Sequence, residues 1–251
     1  MDRYPVATTA LAFVAGFVDT VGFVGLFGLL TAHVTGNLVL LGAEVVLPGH
    51  GALIKLCAFP AFISGIALAR MLVLSRSKRG RAAAGALLLL QVTFLGASLL
   101  VWKIGSPFAS GNAPLAIVTG MLAAAAMGVQ NAGGRLAWRG LSPTTVMTGN
   151  VTQLVIDLID RMRGAGDAEL TQRMRRLFLP VVGFGVGASA GGFAALHALL
   201  AALLLPLVIL AVLASTKALE AEAEMAVTPD GPGGRARPLP DRESSARSAP
   251  R

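Results

Sequence analysis

Apolar residues run along this chain in blocks. Six stand out, roughly 6–28, 52–73, 83–102, 114–134, 177–195 and 197–215, and several approach or exceed the ~20 residues a helix needs to cross a bilayer. The last two almost touch, which predicts a tight hairpin near Leu196 and His197. Two further apolar segments are interrupted by small polar residues: TAHVTGNLVLLGAEVV (31–46) and TTVMTGNVTQLVIDLI (144–159). Beyond Glu220 the chain turns rich in Pro, Gly, Ser and mixed charge. Such a stretch cannot bury a core, so 217–251 is read as a disordered tail with no specific partner.

The two interrupted segments match at an offset of 113, from Asn37 to Asn150. Thr31, Thr35, Gly36, Asn37 and Leu41 fall on Thr144, Thr148, Gly149, Asn150 and Leu154, and Glu44 falls on Asp157. Upstream, GFVD (Gly16 to Asp19) aligns with GVQN (Gly128 to Asn131) after a one-residue shift, and Pro60 and Pro180 open similar glycine-bearing stretches. The predicted architecture is an all-α integral membrane protein of six transmembrane helices in two three-helix repeats. The first repeat covers 1–110 and the second 111–216.

Charge sets the expected orientation. Arg70, Arg76, Lys78, Arg79 and Arg81 follow the second block; Arg135, Arg139, Arg161, Arg163, Arg173, Arg175 and Arg176 follow the fourth. The stretch 103–113 carries only Lys103. Cytoplasmic loops collect Lys and Arg, so both rich regions should face the cytoplasm, as should both termini. Segment 31–46 then leaves and returns on the outer side, and 144–159 on the inner side. The repeats are inverted, and each contributes a re-entrant half-helix carrying Thr-Gly-Asn.

Composition agrees with a bilayer: 55% of the 251 residues are hydrophobic and 14% charged, where a soluble domain carries about 25%. The net charge of +8 is explained by the loops, so nucleic acid is not an expected partner. The first block lacks a basic cluster before it and is long and glycine-rich, so a cleaved signal peptide is not expected. Cys57 is the single cysteine, which excludes an intrachain disulfide. No metal-ligand spacing or phosphate loop appears, and His33, His50 and His197 lie on separate elements. An enzyme is not expected, nor a cofactor. The small residues of GASAGG (187–192) suit close helix packing.

Candidate chemistry centres on the repeated segments. Non-helical backbone at membrane depth is tolerated only when buried in protein or lining a cavity. Thr and Asn cap helices, and a half-helix N-terminus attracts an anion or carboxylate. Broken helices meeting at the midplane are a recurring transporter plan. The candidate substrate-binding residues are Asp19, His33, Thr35, Gly36, Asn37, Gln130, Asn131, Thr148, Gly149 and Asn150. Asn37 and Asn150 are expected to approach each other near the bilayer centre. Asp19 lies about 20 Å along its helix, where a carboxylate is costly and usually functional. Interfacial helices that Thr-Gly-Asn merely caps remain the alternative. Glu44 and Asp157 are expected at the interface in water, and Gln91 between helices.

AGFVDTVGFVGLFGLLTAHVTGN, MGVQNAGGRL and TTVMTGNVTQLVIDL resemble the bacterial YoaK family, small multi-spanning proteins catalogued as a domain of unknown function. The resemblance covers the chain to about residue 215 and implies the inner membrane, but supplies no substrate or reaction. Two classes stay open: a small secondary transporter or channel for a small, potentially anionic solute or ion, and a non-transporting sensor, scaffold or partner subunit. Self-association stays open in both.

Overall fold

The computed structural model describes residues 5–222 except Pro48, His50, Arg139, Ala165, Lys217 and Glu220. Among the described residues every regular element is helical: α1 (Val6–Gly25), α2 (Gly36–Glu44), α3 (Ala52–Ser77), α4 (Ala84–Gly105), α5 (Pro114–Leu136), α6 (Met147–Met162), α7 (Ala168–Ala202) and α8 (Leu204–Thr216). Each half therefore reads long, short, long and a closing helix, with the boundary between α4 and α5. Five helices are long and apolar enough to cross a membrane: α1, α3, α4, α5 and the Ala168–Leu199 part of α7. The apolar α8 has 13 residues, roughly 20 Å, short of a ~30 Å hydrocarbon core by itself.

α1 and α5 are apolar nearly all round and buried on most sides, as expected of helices at the centre of a bundle. Around them α3, α4, α7 and α8 bury one face and expose Leu56, Ile63, Leu89, Leu100, Val186 and Phe193 on the other. So large an apolar exterior fits a multi-pass membrane protein.

The halves interlock by exchange: α1 packs most extensively on α7, and α5 on α3. Glycine permits both crossings. A methyl group on Gly187 would strike the backbone oxygen of Phe13, and one on Gly16 that of Phe184. At the other crossing, Gly128 lies against the backbone oxygen of Phe62, and Gly65 against that of Ala125. Small residues let backbones approach where lipid offers no hydrophobic drive for helix association.

The hairpin expected at Leu196 and His197 lies slightly later and has another form. α7 loses helical geometry at Ala198, and α8 then packs mainly on α4 rather than back along α7. α7 has already given a face to α1, through Gly183, Gly187 and Gly191. Part of the expected tail is ordered: Leu219 is buried, and the Glu222 carboxylate accepts the N–H of Ala7 at 2.8 Å and the hydroxyl of Thr8 at the start of α1. Residues 223–251, with Lys217 and Glu220, lie outside the described residues.

Candidate functional site

α1 ends at Gly25, and the positive φ of Phe27 (56°) and Gly28 (78°) turns the chain back. The returning segment runs down α1 as far as Asp19, six residues or roughly 9 Å short of the helix end. There Asp19 Oδ1 accepts the N–H groups of Thr31 (2.6 Å) and Ala32 (2.8 Å), with the Thr31 hydroxyl at 3.3 Å. Its other oxygen, Oδ2, lies 2.7 Å from His33 Nδ1. Successive backbone N–H groups form an anion-binding nest, and here the chain's own carboxylate fills it. Asp19 is 5% exposed. Hydrogen bonds to a charged group contribute about 1.5–3 kcal/mol each, enough together to offset the several kcal/mol that burying an ion costs. His33 is less enclosed, with 36% of its side chain accessible and its ring edge-on to Phe184 of α7.

Asn37 fixes the same segment from below. Its Nδ2 donates to Leu30 O (2.7 Å), and its Oδ1 accepts from Leu30 N (2.9 Å), seven residues back. Asn150 repeats the gesture, with Nδ2 donating to Pro143 O at 2.8 Å across the same seven-residue gap. Proline has no N–H to return the second bond. Neither Asn caps its helix in the expected way. Thr35 stands at the α2 N-cap without a side-chain capping bond, and α6 begins earlier, placing Thr148, Gly149 and Asn150 inside its first turn. Thr35, Thr148 and Gly149 are exposed and Gly36 half-buried.

In the second half two neutral amides replace the aspartate. Gln130 Nε2 donates to Thr144 Oγ1 (3.0 Å) and to Leu11 O of α1 (2.9 Å), while Asn131 Nδ2 donates to Thr145 Oγ1 (2.7 Å). Gln91 Nε2 donates to Gln130 Oε1 at 2.7 Å, which makes it the link between α4 and α5 that its position suggested. The Leu11 contact sets a depth scale. Thr144 lies level with Leu11 and Thr31 with Asp19, eight residues or roughly 12 Å further along α1. Between the two levels Ala12, Val14, Ala15 and Val18 are fully buried. Two polar stations thus stand apart across an apolar belt, and α2 and α6 pack on α3 and α7 rather than extensively on each other.

A charged clamp unforeseen in the sequence holds the far end of each short helix. Lys55 of α3 is buried; its Nζ donates to Glu44 Oε1 (2.6 Å) and to Phe27 O (2.7 Å). Arg173 of α7 forks onto Asp157, Nε to Oδ2 at 2.8 Å and NH2 to Oδ1 at 2.7 Å. Asp157 is 0% exposed, so the expectation that it and Glu44 sit in interfacial water is corrected. A desolvated carboxylate needs a partner, and α3 or α7 supplies one. Arg173 hydrogen bonding holds the Asp157 carboxyl below its ordinary range against the opposing effect of burial, and Gln153 assists. Lys55 was legible as the lone charge between residues 52 and 69, the kind of intramembrane ionisable group that marks a partnered site.

An apolar groove of about 700 Å³ lies at the opposite end of α1 from Asp19, between Val6, Phe13, Leu179, Val186 and Ile209. No curated protein and no solved structure matches the chain. A family model described as "Protein of unknown function (DUF1275)" matches residues 7–216, from the second residue of α1 to the last of α8, and the chain belongs to that family, which includes YoaK.

Proposed function

We propose that the chain is a small secondary transporter or channel of the inner membrane, built from two inverted repeats whose loops re-enter the membrane from opposite faces. The arginine-rich loops and both termini are cytoplasmic, so the Asp19 station faces outward and the Gln130–Asn131 station inward. From the break at Ala198 to Thr216 the chain has about 27 Å of length, enough for the sixth span when slightly tilted or mismatched. Exchange packing of α1 on α7 and α5 on α3 supports a two-fold relation in the membrane plane.

The observation that carries the reading is the buried Asp19 paired with the half-buried His33 and gripped by a folded-back loop. An ionisable pair inside a membrane bundle is expensive and is usually kept for use. The expected single midplane site becomes two stations. Asp19 already fills the first nest, so a small, potentially anionic solute is better suited to the amides and hydroxyls of Gln130, Asn131, Thr144 and Thr145. The second reading, a non-transporting scaffold or sensor, is favoured by the apolar belt and by Asn37 and Asn150 being engaged within their own halves.

Purified protein in proteoliposomes, assayed for flux of chloride, acetate, lactate and phosphate, separates the two. Transport predicts flux of at least one anion, lost in Asn131→Leu. Absence of flux across a wide solute panel, with the protein folded and unidirectionally inserted, selects the scaffold.

A further inference from the structure

We propose that Asp19 and His33 form a proton-binding site reached through the imidazole, and that the proton is the coupling ion of the transport proposed above. The coupling rests on that reading; the proton site does not.

The two carboxylate oxygens differ in their surroundings. Oδ1 is saturated by Thr31 N, Ala32 N and the Thr31 hydroxyl, whereas Oδ2 has the imidazole at 2.7 Å. With Asp19 ionised, Nδ1–H of His33 donates to Oδ2, which leaves the lone pair of the neutral ring on Nε2. Proton uptake at Nε2 makes the imidazolium; no other bond forms or breaks. The pair then changes from a net charge of −1 to zero. Low-dielectric surroundings favour the neutral pair, so the proton-loaded site tolerates enclosure and the unloaded site favours contact with water. The imidazole is the accessible member, because His33 is 36% accessible while the Asp19 side chain is 7%.

The surrounding elements leave this pair electrostatically isolated. α1 carries no other titratable residue than Asp19, and α7 carries none between Leu177 and Leu196; it presents Phe184 to the imidazole. α5 has none before Arg135. Across the loop, Lys55 donates to Phe27 O and is paired with Glu44 at 2.6 Å, so that neighbour is close to neutral as a unit. His197, also on α7, stacks on Phe193, more than three helical turns along α7 from the Phe184 that meets the His33 ring. The second half has Asn131 and Val146 at the corresponding positions. Only the first half can take up a proton in this way.

The chain has 3 histidines, so imidazole-labelled full-length protein in micelles gives a spectrum that His50→Gln and His197→Gln assign. The His33 resonance is expected to titrate with pH, with its proton affinity falling about tenfold or more, one pKa unit, in Asp19→Asn. A Thr93→Val variant on α4, whose hydroxyl bonds only to Leu89 O of its own helix, should titrate as the wild type does and controls for substitution at a remote site. No titration of His33, or a midpoint unmoved by Asp19→Asn in folded protein, overturns the site. Coupling is read in proteoliposomes with the anion panel: an inward proton gradient should drive accumulation in wild type and fail in His33→Gln. Titration without any flux upholds the proton site and rejects transport; flux indifferent to the gradient upholds transport and rejects the coupling.

Discussion

After α1 and after α5 the chain performs the same manoeuvre: it folds back along the long helix it has just left and starts a short one. In the first half an aspartate grips the returning backbone at Thr31 and Ala32. In the second, Gln130 and Asn131 grip Thr144 and Thr145 through their hydroxyls. Neutral amides suffice to pin the loop, so the negative charge of Asp19 is not demanded by the fold. The molecule contains its own control for what charge adds, and the surplus belongs to Asp19 and His33.

The comparison is tested most severely where the halves should behave alike. Gly187→Val and Gly128→Val each drive a branched side chain into a backbone oxygen on the opposing helix. Backbone cannot yield as a rotamer can, so each should cost about 3 kcal/mol and sharply lower the yield of monodisperse protein. Thermal unfolding and size exclusion in detergent measure both. Normal stability in either variant would mean that the two crossings are not equivalent.

A smaller, asymmetric effect is expected at the asparagines. Asn37→Ala leaves both the N–H and the C=O of Leu30 unpaired, whereas Asn150→Ala frees only the C=O of Pro143. At ~1–3 kcal/mol for an unsatisfied buried group, Asn37→Ala should cost about 2 kcal/mol at the half-buried Leu30, and Asn150→Ala less, because Pro143 is exposed. Reversal of that order in melting temperatures would show that the seven-residue clasp is not what holds these loops.

The clamp on the second short helix should respond to acid. Hydrogen bonding to Arg173 depresses the Asp157 carboxyl in the folded state. Its stabilisation is therefore complete above the unfolded value of about 4 and is lost as the pH falls through the lower folded value. Unfolding of the wild type should be pH-independent on this account from neutrality to about pH 4, then steepen. Arg173→Met should abolish the steepening while lowering stability at neutral pH. An acid limb unchanged in that variant would assign it to other carboxylates.

Periodicity and charge made the helices, the duplicated segments and the place of Asp19 inside α1 legible, because each is written in residue type along the chain. The partners were less so. Nothing local says that Asn37 reaches back to Leu30 instead of capping α2, since both uses need the same amide next to a glycine. Asn37 and Asn150 were expected at one shared site because duplication fixes equivalence but not separation; in the fold each is hydrogen-bonded within its own half. Lys55 was visible as a lone charge, yet its partner Glu44 lies on another helix eleven residues away. The turn after α7 moved because a single apolar run cannot reveal that α8 prefers α4.

The mildest effect separates the two helix starts. α5 begins with Pro114 at its first turn, where proline removes a donor that would otherwise go unpaired. α1 retains its donors, and Glu222 accepts the N–H of Ala7 and the hydroxyl of Thr8 across 215 and 214 residues of chain. A carboxylate there also meets the positive end of the helix dipole. Glu222→Gln keeps an acceptor and loses the charge, so it should cost only about 0.3–1 kcal/mol. Glu222→Ala loses the cap as well, which raises the cost to about 0.5–2 kcal/mol. Melting temperatures of the full chain and both variants, at low and high salt, should give that order, with the glutamine deficit shrinking as salt rises. If both variants match the wild type, the contact from beyond α8 is not what secures α1, and the two helix starts are equally self-sufficient.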